Sequence, residues 1–259
     1  MTMTFEGNDG TPIVSLDDWQ VHGGPAAGRH WQPGRSAFEL ARDWIEGDGA
    51  QSTAALLGTR SEFAGLSYSR AVAEKKTRFD DNPRGPRNHD LLVEATTAEG
   101  PIVIGIEGKA DETFDKPLAE WRLDANPESG KAARLDGLTM SFFGTTLDQD
   151  PSLGTLGYQL LSSLAGTLAD AHRVGAVRAV LLIQEFVTDR TADDKHAVNA
   201  AALDAFVTRL AEPEGVERAG GADAWITGPI EVPGDGTWRP DAIRVHVGKI
   251  VRRLRVGDV

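Results

Sequence analysis

Ile102-Val103-Ile104-Gly105-Ile106-Glu107-Gly108-Lys109 is an apolar run that ends in Glu-x-Lys, and Asp90 heads the apolar run before it, residues 91–97. Both runs have the length and the β-branched content of strands, and Glu99-Gly100 between them has the chemistry of a turn. The expectation is a hairpin over 91–97 and 102–109. An acid and an amine in a buried strand each lose several kcal/mol of hydration unless they are paired. Strand alternation puts Glu107 and Lys109 on one face, roughly 7 Å apart along the chain. With the turn at Glu99-Gly100, opposed residues sum to about 199, which sets Asp90 beside Lys109 and near Glu107. Two carboxylates and a lysine at one strand end are the parts of a divalent-metal hydrolytic site.

The triplet alone carries little, because acid-x-Lys occurs three times: Glu74/Lys76, Glu107/Lys109 and Asp193/Lys195. The first falls in a charged stretch that reads as helical and the third at the start of a polar helix, where solvated charge is the ordinary explanation. Only the middle one ends an apolar strand with a second acid in register. Its alternative is a structural salt bridge between Lys109 and one carboxylate at a sheet edge.

Outward from the hairpin, residues 1–35 are rich in Gly and Pro, hold one strand-like piece at 12–16, and read as an irregular N-terminal arm. Residues 36–259 read as a single α/β domain with a C-terminal strand extension. Ser36-x-x-Glu39 has a capping-box pattern and opens a helix whose stripe is Phe38, Ala41, Trp44 and Ile45. Residues 52–79 look mostly helical. After the hairpin come helical pieces at 117–121 and 130–138, then a clear helix over 158–171 with Leu160, Leu161, Leu164 and Leu168 inward. Residues 176–187 form a strand apolar enough for burial on both faces. A helix over 197–211 and strand material at 224–230 and 243–256 complete the chain. This order predicts a mixed central sheet flanked by helices.

Composition narrows the chemistry. The 259 residues are 40% hydrophobic and include no cysteine, which excludes disulfides, thiolate metal sites and cysteine nucleophiles. No stretch approaches the ~20 apolar residues of a membrane span. The first residues lack a signal-peptide pattern, so the expected location is cytoplasmic and no membrane partner is expected. A net charge of −12 argues against non-specific coating of nucleic acid but leaves room for one local basic cleft. Residues 70–87, with Arg70, Lys75, Lys76, Arg78, Arg84 and Arg87, run basic directly into Asp90. There is no phosphate-binding loop, G-x-S-x-G or H-E-x-x-H. Trp31 and Trp238 fall in loops and could make contacts.

These residues carry a resemblance. The chain resembles the PD-(D/E)XK, or restriction-endonuclease-like, superfamily, whose core runs helix, three strands, helix, strand. Asp90 matches its acid on the second core strand, and Glu107 and Lys109 match the (D/E)XK of the third. More narrowly, His30-Trp31, Gly34-Arg35-Ser36-Ala37, Glu107-Gly108-Lys109 with Phe114 and Trp121, and Tyr158-Gln159-Leu160-Leu161 resemble an uncharacterised bacterial family placed in that superfamily. His89 stands where the superfamily usually has proline, and Gly108 where it has a bulkier residue.

The resemblance implies a metal-dependent nuclease acting on DNA or RNA, with Mg²⁺ or Mn²⁺ held by Asp90 and Glu107 and Lys109 ordering the attacking water. The Gly108 carbonyl is a further candidate ligand. Some members add an acid from the first helix and a Gln from the later one, which points to Glu39 and Gln159; the capping box accounts for Glu39 equally well. The alternative function is an inactive module of the same fold that binds or scaffolds.

Overall fold

A mixed sheet of nine strands runs through the centre of the molecule, and the two quoted runs are its third and fourth strands. The computed structural model describes residues 3–24, 31–82, 85–123, 129–234 and 241–254. In chain order the strands are β1 (Thr4–Glu6), β2 (Ser67–Thr77), β3 (Arg87–Thr97), β4 (Gly100–Lys109), β5 (Arg178–Val187), β6 (Arg218–Gly220), β7 (Ala224–Thr227), β8 (Ile230–Val232) and β9 (Ile243–Arg253). The helices are α1 (Leu16–Gly23), α2 (Ser36–Ile45), α3 (Gly49–Leu57), α4 (Leu118–Leu123), α5 (Lys131–Phe143), α6 (Tyr158–Arg173) and α7 (Asp193–Leu210).

Across the sheet the order is β1-β2-β3-β4-β5-β9-β7-β6, with β8 also on β9. Strands β2, β3 and β4 form an antiparallel meander. Strands β4, β5 and β9 are mutually parallel, so their carboxyl ends emerge together. Those parallel strands are apolar on both faces, as burial between two helical layers requires. On one face Leu40, Ala41 and Trp44 of α2 join Ile104 and Ile106 in a core; on the other, Leu160, Leu161, Leu164 and Leu168 of α6 join Val103, Leu181 and Ile183. Gly105 lets α6 sit hard against β4, since a Cβ there would overlap the Thr167 hydroxyl.

Three expectations are corrected. The stretch read as helical over 52–79 ends its helix at Leu57, and Ser67–Thr77 is strand β2. Its Ala, Glu and Lys content favours helix, but pairing with β3 and burial of Ala71 and Ala73 override propensity. The hairpin turns at Ala98-Glu99, because Thr97 pairs with Gly100, which takes a φ of +118° open to glycine. Opposed residues therefore sum to 197, as in Leu91 with Ile106, and Asp90 falls opposite Glu107 instead of Lys109. The N-terminal stretch is more regular than expected: β1 adds to the sheet edge parallel to β2, and residues 16–23 are helical where a strand-like piece was expected to end. His30, Arg84 and Trp238 lie outside the described residues. No helix among the described residues is long and apolar enough to cross a membrane.

Candidate active site

The β3–β4 ladder has Leu91 and Ile106 as its last pair, and beyond it the Gly108 N–H is left without a strand partner. The Asp90 carboxylate takes that donor, with Oδ2 at 2.8 Å. Glu107, two residues before the end of β4, is only 2% exposed and accepts from four side chains. Lys109 Nζ lies 3.2 Å from its Oε1 and Ser163 Oγ 3.2 Å from its Oε2. Gln159 of α6 donates to Oε1 and Arg87 of β3 to Oε2 at closer range. The close packing of α6 on β4 at Gly105 carries Gln159 and Ser163 to this point. Lys109, also 2% exposed, has Glu112 Oε1 at 3.5 Å and lies 5.5 Å from the centre of the Phe114 ring.

These groups line a cavity of about 320 Å³ at the carboxyl end of β4. Its wall holds four acids, Asp90, Glu107, Glu112 and Asp115, against two cations, Arg87 and Lys109, a surplus of two negative charges when every carboxyl is ionised. The surplus acts on the carboxyls. Burial and the adjacent Glu107 charge push Asp90 well above its ordinary value. Burial alone would raise Glu107 too, but Arg87 and Lys109 outweigh it and hold Glu107 below the usual range. Burial works against the Lys109 charge, yet Glu107, Glu112 and Asp90 together keep the ammonium protonated above its ordinary value. An excess of carboxyl oxygens suits a hard divalent cation, to which Asp90 and Glu107 would each offer oxygen once Asp90 gives up its proton. Among the described residues no three His, Asp or Glu side chains already converge as a closed metal cluster.

The structure thus brings Asp90, Glu107, Lys109 and Gln159 together, with Gly108 joined through its N–H. Glu39 is not among them, which corrects its expected place as a ligand. It is fully buried on α2, accepts from Gly34 N at 2.7 Å and pairs with Arg42 at 2.6 Å. Helix α2 covers the opposite face of β4: a Cβ on Gly108 would face Leu40, whereas one on Gly105 would face α6. The expected capping box is also shifted. Arg35 is the N-cap, the Ser36 hydroxyl donates to Glu112 Oε1 at 2.6 Å, and Glu39 reaches back to Gly34 instead.

One carboxylate set aside in the sequence as solvated charge, the Glu74 of the first acid-x-Lys triplet, joins the site. Ala73 pairs with Leu91 and Lys75 with His89, so Glu74 stands across from Asp90 on the side away from Glu107. Glu74, Asp90 and Glu107 form a row over three strands. Glu74 has a φ of +50°, an unusual backbone for a residue with a side chain, and Asn88 donates to its carboxylate. Burial, reinforced by the Glu107 charge, raises it from 4.5 to about 7. His89, beside Asp90, is 1% exposed and stays neutral, its pKa lowered to about 4 by burial and then by Arg87. A larger cavity of about 780 Å³ lies along α5, but its Arg134 is already bound to Asp80 and to the Gly85 carbonyl.

Residues 12–232 match the model of a protein family described as a domain of unknown function, DUF6946. The chain belongs to this family. Within the DUF6946 match lie Asp90, Glu107, Lys109 and Gln159, and also Glu74 and Arg87. Searches of curated proteins and of solved structures find no match.

Proposed function

We propose that this DUF6946 protein is a divalent-metal-dependent nuclease of the restriction-endonuclease-like type, hydrolysing phosphodiester bonds at Asp90, Glu107 and Lys109. The observation that carries it is the acid-rich cavity in which a buried lysine is held 3.2 Å from Glu107. The order α2, β2–β4, α6, β5 is the order of that superfamily's core and supports the same assignment.

Bound Mg²⁺ or Mn²⁺ would supply a Lewis acid for the phosphate and a more acidic water. Asp90 and Glu107 would hold it through oxygen. Gln159 and Ser163 hold Glu107 in a single orientation, a positioning effect that catalysis depends on to within an ångström. Lys109 keeps its proton beside these acids, so it orients the attacking water and offsets negative charge in the transition state; it does not serve as the base.

The test is incubation of the protein with plasmid, single-stranded DNA and RNA in Mg²⁺ or Mn²⁺. Lys109→Ala and Glu107→Ala should each lower cleavage by about 10²–10⁴-fold. Cleavage that survives both substitutions would sink the assignment.

A second function, an inert interaction module of the same fold, is favoured by one specific observation. Both Glu107 oxygens are already engaged by protein donors. Calorimetry in which Mn²⁺ gives no binding heat would select it.

A further inference from the structure

Arg87 is the cation of the cavity that the proposed hydrolysis leaves without a task. Its stem runs against α6, where a Cβ on Gly166 would lie 3.3 Å from Arg87 Cγ. Its guanidinium donates through one terminal nitrogen to Glu107 Oε2. That single charge also acts on Asp90 and Glu74, drawing all three carboxyls downward. Arg87 is thus the internal counter-ion of the carboxylate row.

Two features show that this is not its full capacity. A guanidinium carries five N–H donors in a planar fork, and Arg87 Nε is buried with no hydrogen-bond partner among the described residues. The side chain is also 15% exposed and lines the cavity. The Lys109 side chain is by contrast buried between Glu107 and Glu112.

Both Glu107 oxygens already carry protein donors, Arg87 among them on Oε2, so a cation seated between Asp90 and Glu107 competes with Arg87 for that carboxylate. A guanidinium released from a carboxylate beside the reacting centre meets the next planar pair of anionic oxygens, those of a phosphodiester. We infer that Arg87 is a substrate-binding residue that stands in for the metal at Glu107 and, once the metal binds, swings its guanidinium onto the substrate phosphate. This rests on the cavity being a metal-dependent phosphodiesterase site.

The test uses the full chain and Mn²⁺ alone, by titration calorimetry, for wild type, Arg87→Gln and Arg87→Lys. Without its competitor, Arg87→Gln should bind Mn²⁺ about tenfold more tightly, the equivalent of one strong polar interaction released. In saturating Mn²⁺ the same variant should raise KM for a short oligonucleotide by about tenfold, with a smaller change in kcat. A residue that merely props up the fold would weaken both, so the opposite signs are diagnostic. Arg87→Lys keeps the charge and the pair with Glu107 but lacks the fork, so it should hold wild-type Mn²⁺ affinity and still raise KM. That variant decides the matter if Arg87→Gln fails to fold. Wild-type Mn²⁺ binding with equal or weaker binding by Arg87→Gln, or an unchanged KM in Arg87→Lys, would overturn the role of Arg87 alone. Absence of Mn²⁺ binding in all three proteins would overturn the metal site itself.

Discussion

Replacing Glu74 with glutamine should stabilise the metal-free protein at pH 8 and leave it unchanged near pH 4. Glu74 stands in the carboxylate row with Asp90 and Glu107, and burial followed by the Glu107 charge lifts its pKa from 4.5 to about 7. The folded state therefore holds this proton more tightly than the unfolded chain does. Below pH 4.5 the group is protonated in both states and costs nothing. As pH rises from 4.5 towards 7, the unfolded chain ionises first and stability falls; above 7 the penalty is constant. One pKa unit is worth about 1.4 kcal/mol, so the full penalty is at most roughly 3 kcal/mol, and partial solvent access makes it smaller.

Glutamine mimics the protonated form and still accepts the Asn88 amide, so it removes the penalty and keeps the hydrogen bond. In urea, with a denaturant slope of about 3 kcal/mol per molar, the midpoint should rise by up to about 1 M at pH 8. The gain should shrink steadily as the pH is lowered to 4.5. An equal midpoint shift at pH 4.5 and pH 8 would refute the reasoning, because it would mean that the effect is one of shape and not of charge.

Gly105→Ala should cost about 1–3 kcal/mol by forcing α6 off β4, and Thr167→Ala in the same chain should recover part of it, since it removes the Thr167 hydroxyl that would overlap the added methyl and leaves only the Cβ at 3.1 Å. Additive losses in thermal melts would contradict that contact. His89 and His246, each lowered to about 4 chiefly by burial, are neutral in the fold. Their stabilisation is complete above the ordinary value of 6.5 and lost as pH falls from there to 4, so His246→Asn should flatten the acid limb of a stability–pH curve. A limb as steep as in the wild type would count against the burial of that ring. Glu39→Gln should lower stability by about 1–3 kcal/mol through the Arg42 pair and leave Mn²⁺ affinity untouched. Weaker Mn²⁺ binding in that variant would return Glu39 to the site.

What was legible in the sequence followed from periodicity strong enough to survive any tertiary context. The two apolar runs, the leucine stripe of α6 and the doubly buried β5 could each be read alone, and they suffice to bring Gln159 over Glu107. The register was not legible, because it turns on which two residues make the bend, and both Ala98-Glu99 and Glu99-Gly100 satisfy the local chemistry. A shift of two keeps every side chain on its face, so the site survived with Asp90 set against a different partner. Strand β2 was hidden by residues that favour helix in isolation, and with it went Glu74, which means nothing until it is known to lie beside Asp90. Glu39 failed for a different reason. A capping pattern locates a helix along the chain but does not say which face of the sheet that helix covers.

Strand β9 has a consequence for how this family is handled in the laboratory. It lies between β5 and the pair β7 and β8, yet its residues, Ile243–Arg253, follow the end of the family match at 232. A fragment cut at the family borders would open β5 along its whole length. It would expose unpaired amides and carbonyls on a strand whose side chains are mostly apolar, the kind of edge that recruits other copies. Aggregation of such a fragment would therefore report a missing neighbour and not an unstable fold, and expression trials on relatives should carry the chain through this strand.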